Sequence, residues 1–243
     1  MPEIKLGPIR VPKSSDVLAD QLRKQILADG PAAGMALPTE RDLVIQTGLS
    51  RGSVREALRI LEAEGLIQTR PGRQGGSVAR QPGDESLAKY IGLFVQGRGI
   101  SLNSLLQTRE AIEPALAALA AVNRSEEELG QLSQVTQRLE DAFADTPLYL
   151  AENVNWHCAI AAASHNELLR AFMVAISNMI FKGSAIKDFA TEDVRKVVIK
   201  AHRRILDAII KQDPEAASRR MARHLSALTK QVQAFTPAPV VLD

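Results

Sequence analysis

Apolar positions in the first eighty residues recur at helical intervals in three short runs, then switch to a pattern no helix would use. Val17, Leu18, Leu22, Ile26 and Leu27 follow a 3.6-residue period behind Ser14 and Ser15, which can cap a helix that Asp29-Gly30-Pro31 ends. After a loop over 32–37, Pro38-Thr39 opens a second helix, expected over about 40–47. Gly48-Leu49-Ser50 predicts a tight turn, with Ser50 as N-cap of a third helix over 51–64. That helix turns Val54, Leu58 and Leu61 inward, and Gly65 stops it. Residues 66–70 and 77–80 then read as two short strands around the turn-rich Pro71-Gly72-Arg73-Gln74-Gly75-Gly76. Helices joined by a glycine turn, followed by a hairpin, predict a winged helix-turn-helix over 14–80, behind an N-terminal arm over 1–13.

Gln81-Pro82-Gly83-Asp84 reads as a linker. Beyond it only the helical period persists, over about 85–96, 102–122, 125–142, 147–163, 167–182, 191–211 and 214–235. Gly97-Arg98-Gly99, Asp145-Thr146-Pro147 and Asp213-Pro214 are among the breaks, and Pro114 is expected to kink the helix that contains it. The predicted fold is therefore mainly α: three helices and a two-stranded wing, then an all-α helical bundle over 85–235 and a loose, proline-containing tail over 236–243.

Composition narrows the class. With 45% apolar and only 4% aromatic residues, the chain can bury sizeable cores built mostly from aliphatic helices. The single cysteine, Cys158, excludes an internal disulfide framework and suits a reducing compartment. No signal pattern opens the chain. The longest nearly apolar stretch, over 168–181, is interrupted by Arg170 and is too short to span a bilayer, so a cytoplasmic protein without membrane association is expected. Net charge is only +2, but residues 1–80 carry +3, and no acid falls between Glu64 and Asp84 while Arg70, Arg73 and Arg80 do. A local basic patch of this kind is a nucleic-acid footprint.

The third helix carries Arg51, Arg55 and Arg59 four residues apart, on the face opposite its apolar one. In this motif the helix N-terminus enters the major groove, where arginine can grip guanine edges bidentately; Ser50 and Ser53 add hydroxyls beside it. A lone helix with this pattern could equally be a solvated amphipathic one. The turn and the basic wing weigh toward double-stranded DNA. The runs Pro38-Thr39-Glu40-Arg41-Asp42-Leu43, Gly48-Leu49-Ser50-Arg51-Gly52-Ser53-Val54-Arg55-Glu56-Ala57-Leu58 and Leu61-Glu62-Ala63-Glu64-Gly65-Leu66-Ile67 resemble the GntR-type DNA-binding domain. The resemblance implies base and phosphate contacts at Arg41, Arg51 and Arg55, assisted by Ser50 and Ser53, with Gly72 at the wing tip entering the minor groove. Pro71 stands where some relatives carry a polar side chain, so base reading is not expected from it.

Three histidines, His157, His202 and His224, lie mid-helix on three segments. A solitary helical histidine is usually an ordinary core or surface residue, but these three have a mutual geometry. His202 lies about ten residues before the turn at Gln212-Asp213 and His224 about eleven after it. At ~1.5 Å per residue, both stand at similar height in an antiparallel pair. Asn153 shares a face with His157 one turn earlier. Three imidazoles and an amide oxygen suit a divalent cation such as zinc or nickel. Arg109-Glu110-Ala111-Ile112-Glu113-Pro114, Asn153-Val154-Asn155-Trp156-His157, His202-Arg203-Arg204-Ile205 and Met221-Ala222-Arg223-His224-Leu225 are similar to the FCD ligand-binding domain of the FadR-like branch of GntR regulators. That similarity implies a metal site at Asn153, His157, His202 and His224, with Asn153 replacing the usual aspartate and so weakening the site. It further implies Arg109 as the partner of a carboxylate effector, and a homodimer on a palindromic operator. Arg109 could instead form a surface pair with Glu113.

The expected function is a ligand-responsive transcriptional regulator, a repressor released by a small carboxylic or sugar acid. A metal-dependent hydrolase, with Asp207 the nearest candidate base in sequence, is one alternative. A DNA-binding module whose helical half only dimerises is another.

Overall fold

A computed structural model describes residues 11–28, 34–70, 76–184 and 190–235, with residues 178, 181–184 and 232–235 described by backbone alone. The chain divides into two compact units, Met1–Ser86 and Leu87–Asp243.

The first unit contains helices α1 (Ser14–Ala28), α2 (Glu40–Thr47) and α3 (Arg51–Ala63) and strands β1 (Ile67–Arg70) and β2 (Gly76–Ala79). Ser14 and Ser15 do not cap α1; both already lie in its first turn, where Ser15 is buried. The cap of α2 is built as its sequence requires: Thr39 Oγ1 accepts from the Asp42 N–H while the Asp42 carboxylate accepts from the Thr39 N–H. Gly48 (φ +69) then bends the chain left-handedly, a conformation costly for residues with a Cβ, and lets Ser50 cap α3. Leu18, Leu22 and Ile26 of α1 close on Val54, Leu58 and Leu61 of α3, with Leu43, Leu66 and Ile67 completing the core. The guanidinium of Arg23 forks onto Glu64, fastening α1 to the end of α3.

β1 and β2 pair antiparallel, Ile67 opposite Ala79 and Arg70 opposite Gly76. The segment expected to be a plain loop over 32–37 does more. Ala36 bridges Val78, and the N–H groups of Leu37 and Ala79 donate to Ser77 and Met35 carbonyls, both at 2.8 Å. β2 is thereby paired on both edges, which satisfies its backbone away from the tip.

The second unit is built of helices and short connections, taking in most of α4 (Asp84–Gly97). It continues with α5 (Leu102–Asn123), α6 (Glu126–Asp141), a 3-10 turn (Ala142–Ala144), α7 (Thr146–Ala163), α8 (Glu167–Ser184), α9 (Glu192–Ile210) and α10 (Pro214–Phe235). The helix expected to reach 142 gives way to that 3-10 turn. α5 is one element through Pro114, whose missing N–H leaves the Glu110 carbonyl without its helical donor. Side-chain caps start most of these helices: Ser101 for α5, Ser125 with Glu128 for α6, Asp145 for α7 and Thr191 for α9.

α5 is the central helix. Its buried Ala117, Ala120 and Ala121 belong to a core shared with Trp156 and Ile160 of α7, Ile205 and Ile209 of α9, and Met221 and Leu225 of α10. Small side chains on one helix let its neighbours approach closely. Trp156 is fully buried, and its indole N–H donates to Thr136 Oγ1 at 3.0 Å. Gln212 (φ +51) turns the chain between α9 and α10, and Asp213 caps α10 through the Ala216 N–H.

Candidate functional site

In the first unit, α3 buries Val54, Ala57, Leu58 and Leu61 and leaves Arg51, Arg55 and Arg59 exposed on the opposite side. Arg51 has no ion-pair partner among the described residues. Arg55 Nε donates to Glu40 Oε2 at 2.9 Å, and Arg59 lies 3.8 Å from Glu56. Arg41 is exposed on α2. The serines are less free than the arginines: Ser50 Oγ accepts from the Ser53 N–H at 3.1 Å and sits 3.0 Å from Ser53 Oγ, which also accepts from Ser14. Their first task is to close the N-terminus of α3. Gly72 and Pro71 lie outside the described residues.

In the second unit, three helices bring together the histidines that the sequence scatters over 68 positions. His157 on α7, His202 on α9 and His224 on α10 are 3%, 0% and 8% exposed, and each offers a ring nitrogen within 4.8 Å of the others. His202 Nε2 and His224 Nε2 are 3.1 Å apart. Two nitrogens bound at about 2.1 Å to one cation, at right angles, lie about 3 Å apart. The ring of His202 is perpendicular to those of His157 and His224, at 87° and 81°. On its other side it stacks on Trp156, with 3.6 Å between centroids.

Arg109 and Glu113, one turn apart on α5, are both buried and paired through Arg109 Nε. The pairing expected as a surface alternative therefore exists, but inside the core. The second oxygen of Glu113 accepts from His157 Nδ1 at 2.6 Å, a contact that fixes the ring and leaves its Nε2 free. Sequence reasoning named Glu113 only as a surface partner. The available signal was that Arg109 and Glu113 continue the α5 stripe of Leu102, Leu105, Leu106, Leu116 and Ala120, a stripe that is buried.

Electrostatics follow from this burial. Burial pushes the His157 imidazole below its ordinary value, although Glu113 pulls the other way. Burial, reinforced by neighbouring histidines, holds His202 well below its ordinary value, and burial with His157 and Arg109 pushes His224 down to about 3. Burial alone would raise the Glu113 carboxyl, but Arg109 and His157 outweigh it and hold it far below the usual carboxylate range. The cluster is thus three neutral imidazoles, an ionised glutamate and a guanidinium. Neutral imidazole is the ligating form.

Among the described residues, Asn153 Oδ1 and His157 Nε2 on α7 and Arg109 Nη2 on α5 are buried without a hydrogen-bond partner, as is His202 Nδ1, on the opposite edge of a ring whose Nε2 turns to His224. Orphaned groups are costly in a core, so their concentration marks a place built for something else to complete. The Asn153 oxygen and the His157 Nε2 lone pair suit a divalent cation, and the guanidinium N–H suits an anion; His202 Nδ1 carries its ring's proton when Nε2 ligates. Asp207, the candidate base of the hydrolase reading, is engaged at the surface with Lys211 and Arg220.

Residues 14–75 match the family described as "Bacterial regulatory proteins, gntR family", and residues 104–227 match the family described as "FCD domain". The chain is 28% identical to the HTH-type transcriptional repressor NanR of an Enterobacter species, over 96% of this chain and 90% of that one. It is 30% identical to an Escherichia coli protein described as an L-lactate dehydrogenase operon regulatory protein, over 91% of this chain and 87% of that one. Among solved structures, Streptococcus agalactiae GntR is similar with a TM-score of 0.66 and 25% identity, covering 89% of this chain and 99% of that one. No helix among the described residues is long and apolar enough to cross a membrane.

Proposed function

The chain belongs to the gntR family of bacterial regulatory proteins and carries an FCD domain, and on that premise we propose that it is a cytoplasmic, homodimeric repressor released from its operator by a small carboxylic or sugar acid. One relative is named a transcriptional repressor, which supports the sign of regulation, and another is named for an L-lactate dehydrogenase operon, whose enzyme acts on a small acid.

Operator recognition falls to the exposed start of α3. Arg51 and Arg55 read base edges, Arg41 reaches phosphate, and Gly72 meets the minor groove. Ser50 and Ser53 hold the helix N-terminus in position, where its dipole also favours phosphate. Glu40 pre-orients Arg55 at the cost of part of its charge.

The observation that carries the effector reading is the set of orphaned atoms around the three histidines. His157, His202 and His224, with Asn153, would hold a divalent cation such as zinc or nickel. Glu113 fixes the His157 ring so that Nε2 faces inward, and Trp156 packs His202 in place. A cation there would supply a positive centre for one carboxylate oxygen. Arg109 Nη2 takes the other, while its Nε stays on Glu113. The cluster has no free carboxylate among its described residues to act as a general base, so binding rather than hydrolysis is the activity it supports.

Thermal-shift titration of the purified protein with lactate, citrate, gluconate and related acids, followed by operator titration, tests the reading. An acid that stabilises the metal-loaded protein and weakens operator binding is expected. If no acid stabilises the loaded protein, or if stabilisation is unchanged after metal removal, this assignment of the site is wrong.

A further inference from the structure

Beside the buried cluster, and sharing His224 with it, α9 and α10 flank a cleft of about 500 Å³ that opens to the surface. The two helices run antiparallel, so positions along the cleft pair in order. Arg204 stands level with Arg220, which donates to the Arg204 carbonyl; His224 lies near the middle, and Val194 lies towards Gln231. The ten residues from Val194 to Arg204 span about 15 Å.

Chemistry changes along that length. One end carries Lys200, Arg204 and Arg223, none of which has an acidic partner among the described residues. Their neighbours are committed elsewhere: Arg220 to Asp207 and Arg203 to Glu140. The rest of the trough is apolar, lined by Val194, Val197, Val198, Ala227 and Leu228, and Val197 is 66% exposed. Asp193 closes the far end.

We propose that this cleft is a second ligand site, which takes an elongated amphipathic monocarboxylate with its head on Arg204 and Arg223 and its apolar chain along Val197 and Leu228. Charge sets the polarity of the occupant, because the lining cations without an acidic partner among the described residues stand at one end only. It also sets the number of charges: at the other end Asp193 and Glu192 already engage Lys196, so a second carboxylate would find no free cation there. Its head group would rest on Arg204 and Arg223 rather than on Arg109, so the two acid sites share only the wall at His224. A neutral amphipath would leave both guanidinium groups unmatched, and a polyhydroxylated acid would lose hydroxyl hydration against the valines.

Isothermal titration of the full-length, chelator-treated protein with acetate, hexanoate, decanoate and decanedioate tests this. Affinity is expected to rise by about two- to fourfold per methylene as the chain fills the trough, with decanedioate at least tenfold weaker than decanoate. Val197→Glu and Ala227→Glu, both at exposed positions, should flatten the chain-length dependence without unfolding the protein. The double variant Arg204→Gln/Arg223→Gln should weaken hexanoate and decanoate alike, by about tenfold or more. Equal affinity of decanoate for wild type and these variants overturns the proposal. So does binding that requires the metal and vanishes in Arg109→Lys, which would place the acid in the buried site and leave the effector reading standing. If the glutamate variants change only the sedimentation coefficient, the cleft is a surface for a second copy of the chain and the ligand site is refuted.

Discussion

The indole of Trp156 lies flat against the imidazole of His202, with ring planes 6° apart and centroids separated by 3.6 Å. Trp156 is the only tryptophan of the chain, so its emission reports on the histidine cluster alone. Adding nickel to chelator-treated protein should quench that emission saturably, with an end point of one ion per chain. A cation at one hundred times its Kd should also stabilise the fold by about 2.7 kcal/mol, seen as a rise in Tm. His224→Ala should remove both effects. Bound nickel that leaves the emission unchanged would place the ion away from His202.

Glu113 is the residue on which the orientation of His157 depends, since its carboxylate bridges Arg109 and His157. Glu113→Gln keeps an acceptor near His157 but removes the charge that balances Arg109. Metal affinity should fall about 10–100-fold, the usual effect of losing the outer partner of a ligating histidine. Stability should fall by about 3–5 kcal/mol because the guanidinium is left buried and unpaired. Competition with a chromophoric chelator and denaturant unfolding measure the two separately. Unchanged metal affinity with lowered stability would reduce Glu113 to a purely structural role.

Much of this arrangement is readable in the sequence, for reasons specific to each part. The facing of His202 and His224 follows from counting, because a short turn at Gln212-Asp213 fixes the register of the α9–α10 hairpin and each residue adds a constant rise. The turn before α3 is equally local, resting on Gly48 and the Ser50 cap. What escapes the sequence is burial. An Arg109–Glu113 pair four residues apart looks the same on a solvated face as inside a core, and only the packing of α5 against α7 and α10 decides between them. The edge pairing of Ala36 with β2 is also hidden, because a stretch so short shows no alternation between Gly34 and Pro38. Ser50 and Ser53 illustrate a third limit: a hydroxyl at a helix start serves capping and DNA contact with the same atom.

Operator affinity should depend on the exposed arginines of α3. Arg51→Ala and Arg55→Ala should each cost about 1–3 kcal/mol on the cognate site if they grip base edges. Lys24→Ala, on α1, should have a smaller effect that is equal on cognate and random duplexes. Glu40→Gln releases Arg55 from its ion pair and should raise affinity on both duplexes, more at low salt. Band-shift titrations over a range of salt concentrations check all four. Unchanged affinity in both arginine variants would remove α3 from the recognition surface.

The N-terminus of α6 predicts a pH-dependent contribution to stability. Burial tends to raise the Glu128 carboxyl, but the Ser125 N–H and the His165 ring that hydrogen-bond to it hold it below its ordinary value. A carboxylate with a lowered folded-state pKa stabilises the fold above its unfolded-state value and loses that contribution as pH falls through the folded one. Glu128→Ala should therefore cost about 0.5–2 kcal/mol at neutral pH, the range of a helix cap. The gap from wild type should narrow below the unfolded carboxyl pKa near 4.3 and close in more acid solution. Urea unfolding at several pH values measures the gap. A difference independent of pH would assign the loss to packing rather than to the ionised cap.

Arg109 offers a way to separate effector binding from folding. Its Nε holds Glu113, and its Nη2 lacks a partner among the described residues. Arg109→Lys retains a cation for Glu113 but gives up the planar fork, so one donor is lost while the buried charge stays balanced. The variant should fold, retain its metal and bind operator with wild-type affinity. Its response to an effector acid should nevertheless weaken by about tenfold or more, the effect of losing a hydrogen bond to a charged group. An acid can lower DNA affinity only through a difference in its own affinity for the free and the DNA-bound protein, and that difference acts equally in both directions. Operator DNA should therefore weaken acid binding to wild type by the same factor by which the acid weakens operator binding, and Arg109→Lys should need about tenfold more acid to reach the same effect. Parallel titrations, acid with and without operator and operator with and without acid, measure the factor from both sides. Unchanged acid affinity in Arg109→Lys would mean that the effector's carboxylate is held by other residues.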